Sequence, residues 1–284
     1  MSTFAEFVLN GIFLGVLYSL VAIPLTSIWT TTDVIDINIG GYATVAGIIA
    51  ATLGGIVGII LGVFAAAAMG VITGALFYLF HKISVIKDPI TIVLATFGLL
   101  FATTSAVQAA VGTDSHFVPG LTSIFLVSGT HISAQGILNL SIATALFIVL
   151  AVTMRYTLIG LKMRAAALST QSAELIGVPV RTVQITAFIA GAAIAGAAGI
   201  LAAISVGISY ASATQFTIFA FTAAIICGLK GPTTAFCGGL LLGVIDSLSA
   251  GYLPSGWSAL VPPLIIFAVL ASGRAGLSVS KARA

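Results

Sequence analysis

The sequence predicts an all-α, polytopic membrane protein with eight or nine membrane segments, half-helices included. Three observations lead there. Hydrophobic residues make up 60% of the 284 residues, against the ~45–50% of soluble domains, and mean hydropathy is +1.24. Charged residues are only 6% of the chain, too few to cover a water-exposed surface. The apolar residues also form continuous runs, not the alternating segments of a membrane barrel. The length suits one integral domain, 1–284, with no sizeable soluble part.

The chain opens Met-Ser-Thr-Phe-Ala-Glu, without a basic region or a cleavage site, so no removable signal peptide is expected. Glu6 falls at the interface before the first span. A bilayer crossing needs about 20 mostly apolar residues. Segments of that kind lie near 7–28, 56–80, 90–111, 134–154, 183–206, 233–251 and 257–273. Two shorter ones, 37–53 and 216–229, are full spans or half-helices. Small residues recur four apart at Gly11 and Gly15, Gly54, Gly58 and Gly62, Gly70 and Gly74, Ala192 and Gly196, and Gly239 and Gly243. That spacing puts small side chains on one helix face, where backbones can approach. Cys227 and Cys237 sit in apolar surroundings and read as small buried hydrophobes. The stretch 41–63 echoes 220–244, each a short apolar helix, a Gly break and a Gly-rich span. An internal repeat and shared Ala/Gly composition both account for the echo.

Basic residues set the orientation, because they concentrate on the cytoplasmic side. Arg155, Lys162, Arg164 and Arg181 share the loop 156–182 or its edges; Lys82 and Lys87 share another; Arg274, Lys281 and Arg283 close the C-terminus. The external loop 112–135 has no Lys or Arg and carries Asp114, His116, Pro119 and Gly120. Nine crossings, or seven with two half-helices, then place the N-terminus outside and the C-terminus inside.

The stretch 30–47 is the most polar part of the first half, with Asp33, Asp36 and Asn38 ahead of Gly40 and Gly41. It reads either as a broken helix facing a wet pathway or as an interfacial loop with a capping Asp. The first reading places Asn38, Tyr42, Thr44, Phe219 and Thr222, on the two short segments, beside a translocation pathway. Asp246 is an acid inside a span, a functional candidate because its insertion is costly. Snorkelling, or bonding to Ser247 or Ser249, explains it as well. His116 and His131 have no cysteine beside them, and no metal site is expected. No HExxH, GxSxG, GxxxxGK[ST] or strand-following GxGxxG occurs, so no catalytic residue, bound cofactor or nucleotide loop is expected.

The run LKMRAAALSTQSAELIG, 161–177, is polar for so oily a chain. Leu161, Ala165, Leu168, Leu175 and Ile176 fall on one face at helical spacing, and Gly177 with Pro179 gives a stop signal. The expectation is an amphipathic helix with its apolar face on the membrane domain and its polar face toward a soluble partner.

With GLKMRAAALSTQSAELIGVPV (160–180), TAFIAGAAIAGAAGILAA (186–203), FTAAIICGLKGPTTAFCGGLLLGVIDSLSAGYL (221–253), LNGIFLGVLYSLVAIPLT (9–26), DVIDINIGGYATVAG (33–47) and ITIVLATFGLLFATTSAVQAAVGTD (90–114), the chain resembles the membrane permease subunits of branched-chain amino acid ATP-binding-cassette importers. The resemblance implies a multi-pass permease of a bacterial inner membrane. It also implies a second permease subunit, identical or not, two ATP-binding-cassette ATPase subunits that bind the ATP, and a periplasmic solute-binding protein. By position it places Lys162, Arg164, Ala165, Ala166, Ser169, Ala173, Glu174 and Gly177 at the ATPase contact of a cytoplasmic coupling loop. The chain departs from the family pattern at Leu168 and Ser169, at Asn38–Tyr42 and at Cys227–Pro232. Amide, urea and aromatic-acid substrates therefore stay open beside branched-chain amino acids. Outside the family, an ion-coupled secondary transporter and a channel-like subunit are the alternatives.

Overall fold

The structure is a computed structural model and describes residues 2–82, 89–120, 124–127, 130–254 and 260–271. Lys87, Arg274, Lys281 and Arg283, and the side chains of Lys82 and His131, lie outside the described part. Six helices are long and apolar enough to cross a membrane: α1 (Ser2–Thr32), α3 (Gly55–Lys82), α4 (Pro89–Val111), α5 (Ala134–Tyr156), α8 (Val180–Ser205) and α10 (Pro232–Tyr252). Shorter apolar helices are α2 (Ile39–Leu53), α9 (Ser212–Ile226) and α11 (Val261–Ala271). Two further helices, α6 (Leu158–Leu168) and α7 (Thr170–Leu175), join α5 to α8. The fold is the expected polytopic helical one. The connection between α4 and α5 adds a small antiparallel hairpin, β1 (Ile124–Val127) with β2 (Thr130–Ser133), Ile124 opposite Ser133.

Helices α2 and α9 have 15 residues each, about 22 Å at 1.5 Å per residue, short of the ~30 Å hydrocarbon layer. Each is followed by a glycine break. Gly54 and Gly55 have φ of 65° and 58° before α3, and Gly228 has φ of 77° before α10. Side chains with a Cβ rarely adopt that conformation. The two echoing stretches thus share one outline of short helix, break and long helix.

Small residues decide the packing. Gly11 and Gly15 on α1 meet Gly239 and Gly243 on α10. A Cβ on Gly11 would lie 2.7 Å from Val244 Cα, and one on Gly243 would overlap the Gly15 backbone. Two polar bonds lock this seam: the Ser19 hydroxyl donates to the Phe236 carbonyl at 2.8 Å, and Ser247 to that of Phe7 at 2.7 Å. Gly70 on α3 packs on Ala192 and Phe188 of α8, and Gly62 on Ala46 of α2. The core gathers around α1, α2, α8 and α9. Burial sorts inner from outer helices: 67% of the α1 and α8 spans is buried, against 17% of α4 and 11% of α5.

The run 161–177 departs from its expected shape. It forms two helices, broken at Ser169, which is extended (φ −165°) and whose hydroxyl accepts the Ser172 N–H at 3.3 Å to cap α7. Leu161, Leu168, Leu175 and Ile176, expected to face inward, are exposed on both sides of the break, and Ala165 is half-buried. Met163, Ala166 and Ala173 are buried instead, against Val180, Val183 and Ala187 of α8. The gap under α6–α7 favours small side chains. The stop signal acts as read: Gly177 has φ of 82°, and the Val178 N–H donates to the Ala173 carbonyl at 3.0 Å.

Candidate functional site

Functional candidates fall in three groups. The first is the exposed face of α6–α7. Lys162, Arg164, Glu174 and Gly177 are exposed and Ser169 half-buried, whereas Ala166 and Ala173 point inward. Arg164 donates to the Arg155 carbonyl at 3.2 Å, and Arg181 lies 5.3 Å over the Tyr78 ring. A cavity of about 440 Å³ separates residues 166–171 from Asp33. Asp33 has φ of 55° and turns the chain after α1. Asn and Asp tolerate that left-handed turn better than other side chains with a Cβ.

The second cluster is the start of α2. Asp36 is fully buried. Its Oδ1 accepts the Asn38 N–H at 2.9 Å, and its Oδ2 accepts the Tyr42 hydroxyl at 2.8 Å. Tyr42 also lies 2.7 Å from Thr73 Oγ1 on α3. Thr103 on α4 donates to Asn38 Oδ1 at 3.2 Å. Thr217 on α9 accepts the Gly40 N–H at 3.2 Å and donates to the Ile37 carbonyl at 3.1 Å. The two short helices touch here, since a Cβ on Gly40 would overlap the Ala213 carbonyl. Thr44 is buried and its hydroxyl has no hydrogen-bond partner among the described residues.

The third joins α1, α9 and α10. The Tyr18 hydroxyl donates to Asp246 Oδ2 at 2.8 Å, and the Tyr18 ring packs at a tilt against Phe219, centroids 4.3 Å apart. The sequence reading offered Ser247 or Ser249 as partners of Asp246. Instead Ser247 bonds the Phe7 carbonyl and Ser249 the Ile245 carbonyl. Thr222 donates to the Ile218 carbonyl at 2.7 Å and faces Pro262 of α11. Its hydroxyl is thereby occupied.

The structure brings Asn38 and Tyr42 together with Asp36, and Phe219 together with Tyr18 and Asp246. The two groups adjoin on α9, where Thr217 bonds the first and Phe219 packs in the second. Sequence reasoning did not single out Tyr18, Thr73, Thr103 or Thr217. Lone hydroxyls within apolar spans are the signal for them, because a buried hydroxyl in lipid needs a partner, but the sequence does not say which one. Among the described residues no cluster of three His, Cys, Asp or Glu side chains could hold a metal. The arrangement offers hydrogen-bonding groups along a helical bundle, suited to holding and passing a polar solute.

A family model described as "Branched-chain amino acid transport system / permease component" matches residues 7–270. The chain is similar to the high-affinity branched-chain amino acid transport system permease protein LivH of Salmonella typhimurium, 33% identical over 126 residues, 43% of this chain and 40% of that protein. The same protein of Escherichia coli K12 is 32% identical over the same length. The probable branched-chain amino acid transport permease protein LivH of Methanocaldococcus jannaschii is 26% identical over 245 residues, 83% of this chain and 78% of that one. The matched stretch thus spans under half the length of the two bacterial relatives.

Proposed function

The chain belongs to the branched-chain amino acid transport permease family, and from that membership we propose that it is a membrane subunit of an ATP-driven importer of branched-chain amino acids. A second permease subunit completes the pathway. Two ATPase subunits dock on α6–α7 and carry all the ATP chemistry, and a periplasmic binding protein delivers the substrate. The chain sits in the inner membrane with its C-terminus in the cytoplasm.

Beyond the family match, one observation carries this reading. The α6–α7 unit turns Leu168, Leu175 and Ile176 outward, at 79%, 87% and 75% exposure, among exposed Lys162, Arg164 and Glu174. Apolar residues with a polar rim mark a protein contact. The unit also touches the interior. Asp33 lines the cavity under α6–α7, and Asp36 and Asn38, a few residues on, anchor α2. A displacement of α6–α7 by the ATPases therefore reaches α2 through one short turn.

The test is leucine uptake into proteoliposomes holding the chain, its sister permease, the ATPases and the binding protein. ATP-dependent uptake is the expected result. Uptake that persists without ATP or ATPase overturns it. Asp36 and Asp246 favour a second reading, ion coupling, since each is a carboxylate with no ion pair among the described residues. Uptake by this chain alone, driven by a proton or sodium gradient, would establish that reading.

A further inference from the structure

Between α1, α9 and the connection 206–211 lies a cavity of about 380 Å³, within the ~300–1,000 Å³ of small-molecule sites. Leu14 and Leu17 of α1 and Phe216 and Phe219 of α9 give it an apolar wall. Ser209, Ser212 and Gln215 give it hydrogen-bonding groups, and no charged side chain lines it directly. Tyr18 forms part of the same wall. Behind Tyr18 stands Asp246, half-buried, which receives the Tyr18 hydroxyl and no other side-chain donor among the described residues.

These features divide the cavity by chemistry. Tyr18, by donating its proton to a carboxylate, keeps its oxygen lone pairs as acceptors with a negative charge behind them. An ammonium group is complementary to that corner. The other polar groups are of the opposite kind. The Ser212 hydroxyl accepts the Ser209 N–H, leaving its own proton to donate, and Gln215 carries an amide. At the start of α9 the Ser212 and Ala213 N–H groups already bond the Ser209 and Tyr210 carbonyls, so the donors on this side are the Ser212 hydroxyl and the Gln215 amide. A carboxylate is complementary to this side. The apolar wall between them suits an aliphatic side chain. A solute with only a carboxylate meets Asp246 unfavourably, and one with only an amine leaves the donors unpaired.

We propose that this cavity is a substrate subsite for an α-amino acid with an aliphatic side chain, the Tyr18–Asp246 pair taking the ammonium group and the start of α9 the carboxylate. The proposal rests on the transport reading and specifies its substrate chemistry inside this chain.

The experiment uses the full importer complex, with Cys227→Ser and Cys237→Ser removing the native thiols and Ser115→Cys placing one on the cavity wall. The rate of labelling by a small aqueous thiol reagent is measured against L-leucine, 4-methylpentanoate, which lacks the amine, and 3-methylbutylamine, which lacks the carboxyl. Leucine is expected to slow labelling, with each analogue needing a concentration about tenfold higher or more, the loss of one charge-assisted contact. Asp246→Asn is expected to raise the half-protecting leucine concentration about tenfold and to abolish the preference over 4-methylpentanoate. Tyr18→Phe, which removes the acceptor oxygen, is expected to move both in the same direction and decides the matter if Asp246→Asn fails to assemble. No protection by leucine, or equal protection by 4-methylpentanoate in the unmutated site, overturns the proposal even where ATP-driven uptake is intact. Protection without ATP-driven uptake sinks the transport reading and leaves the subsite standing.

Discussion

The α1–α10 seam and the α6–α7 unit solve the same problem in opposite ways. In the seam, glycines bring two backbones into contact, and no large side chain separates them. In α6–α7, alanines and Met163 lie inward on α8 while leucines and Ile176 point away. Inside a bilayer, apolar surface gains nothing by hiding from lipid, so close packing holds helices together. Where water is the solvent, as the transport reading has it for α6–α7, an exposed leucine has a cost that burial against a partner removes. The difference teaches that exposure alone does not say what covers a residue. Val149 on α5 and Leu175 on α7 are both well exposed, yet α5 is a membrane span and α7 is not.

The largest effect is expected at the seam. Gly243→Leu forces a side chain into the space of the Gly15 backbone, so α1 and α10 must separate. The cost exceeds the ~1–3 kcal/mol of ordinary overpacking. The expected outcome is loss of monodisperse protein in mild detergent, with Gly98→Leu, at a glycine with open space around it, retaining it. Equal yields from both would mean that glycine contact does not hold the seam. Next comes Ala173→Asp, which buries a charge in the small cluster under α7 and costs at least ~2 kcal/mol. Amide exchange should then quicken across α6–α7 while α1 and α10 stay protected. Quickening in all helices together would instead join the two regions into one cooperative unit.

A smaller effect is expected at Tyr42, between the two regions. Tyr42→Phe removes the donor to Asp36 Oδ2 and leaves a buried carboxyl oxygen unpaired, costing about 1–3 kcal/mol. Thr73→Val breaks the same network from α3. The double variant should lose less than the sum of the two, by about 0.5–3 kcal/mol, in thermal midpoints. Strict additivity would show that the three groups do not act as a network.

Much of this was legible in the sequence. Continuous apolar runs placed all six long helices, and the two short segments emerged as α2 and α9, because hydropathy reports the solvent directly. The spacing of Gly11 with Gly15 and of Gly239 with Gly243 indicated close approach, though not that these two pairs meet each other. Periodicity chose the wrong face at α6–α7. Leu161, Leu168 and Leu175, the larger apolar residues, are exposed, while Ala166 and Ala173 on the other face pack on α8, because the space there admits small side chains and hydropathy favours large ones. In the site, Asn38 and Tyr42 were singled out by their place on a short segment, and Asp246 as an acid inside a span. Their partners Thr73, Thr103 and Tyr18 lie 31, 65 and 228 residues away from Tyr42, Asn38 and Asp246, and no local pattern encodes a contact across such distances.

The last variant leaves the fold least changed and sharpens the comparison most. Leu175→Ser with Ile176→Ser alters two side chains that touch solvent, and surface changes of this kind stay within about ±0.5 kcal/mol of stability. The thermal midpoint should therefore not move. If an ATPase covers these residues, each lost side chain removes about 1.5–3 kcal/mol of burial from the complex, which together lowers affinity by at least about a hundredfold. Recovery of the ATPase with the tagged chain should collapse. Val149→Ser on α5 serves as the counterpart, since its side chain faces lipid in the transport reading and its replacement should leave ATPase recovery as it was. Undiminished recovery with both Leu175 and Ile176 changed would mean that the apolar face of α6–α7 is not what the ATPase binds. The contact would then fall to the charged residues Lys162, Arg164 and Glu174, and a salt-sensitive complex would take the place of an apolar one.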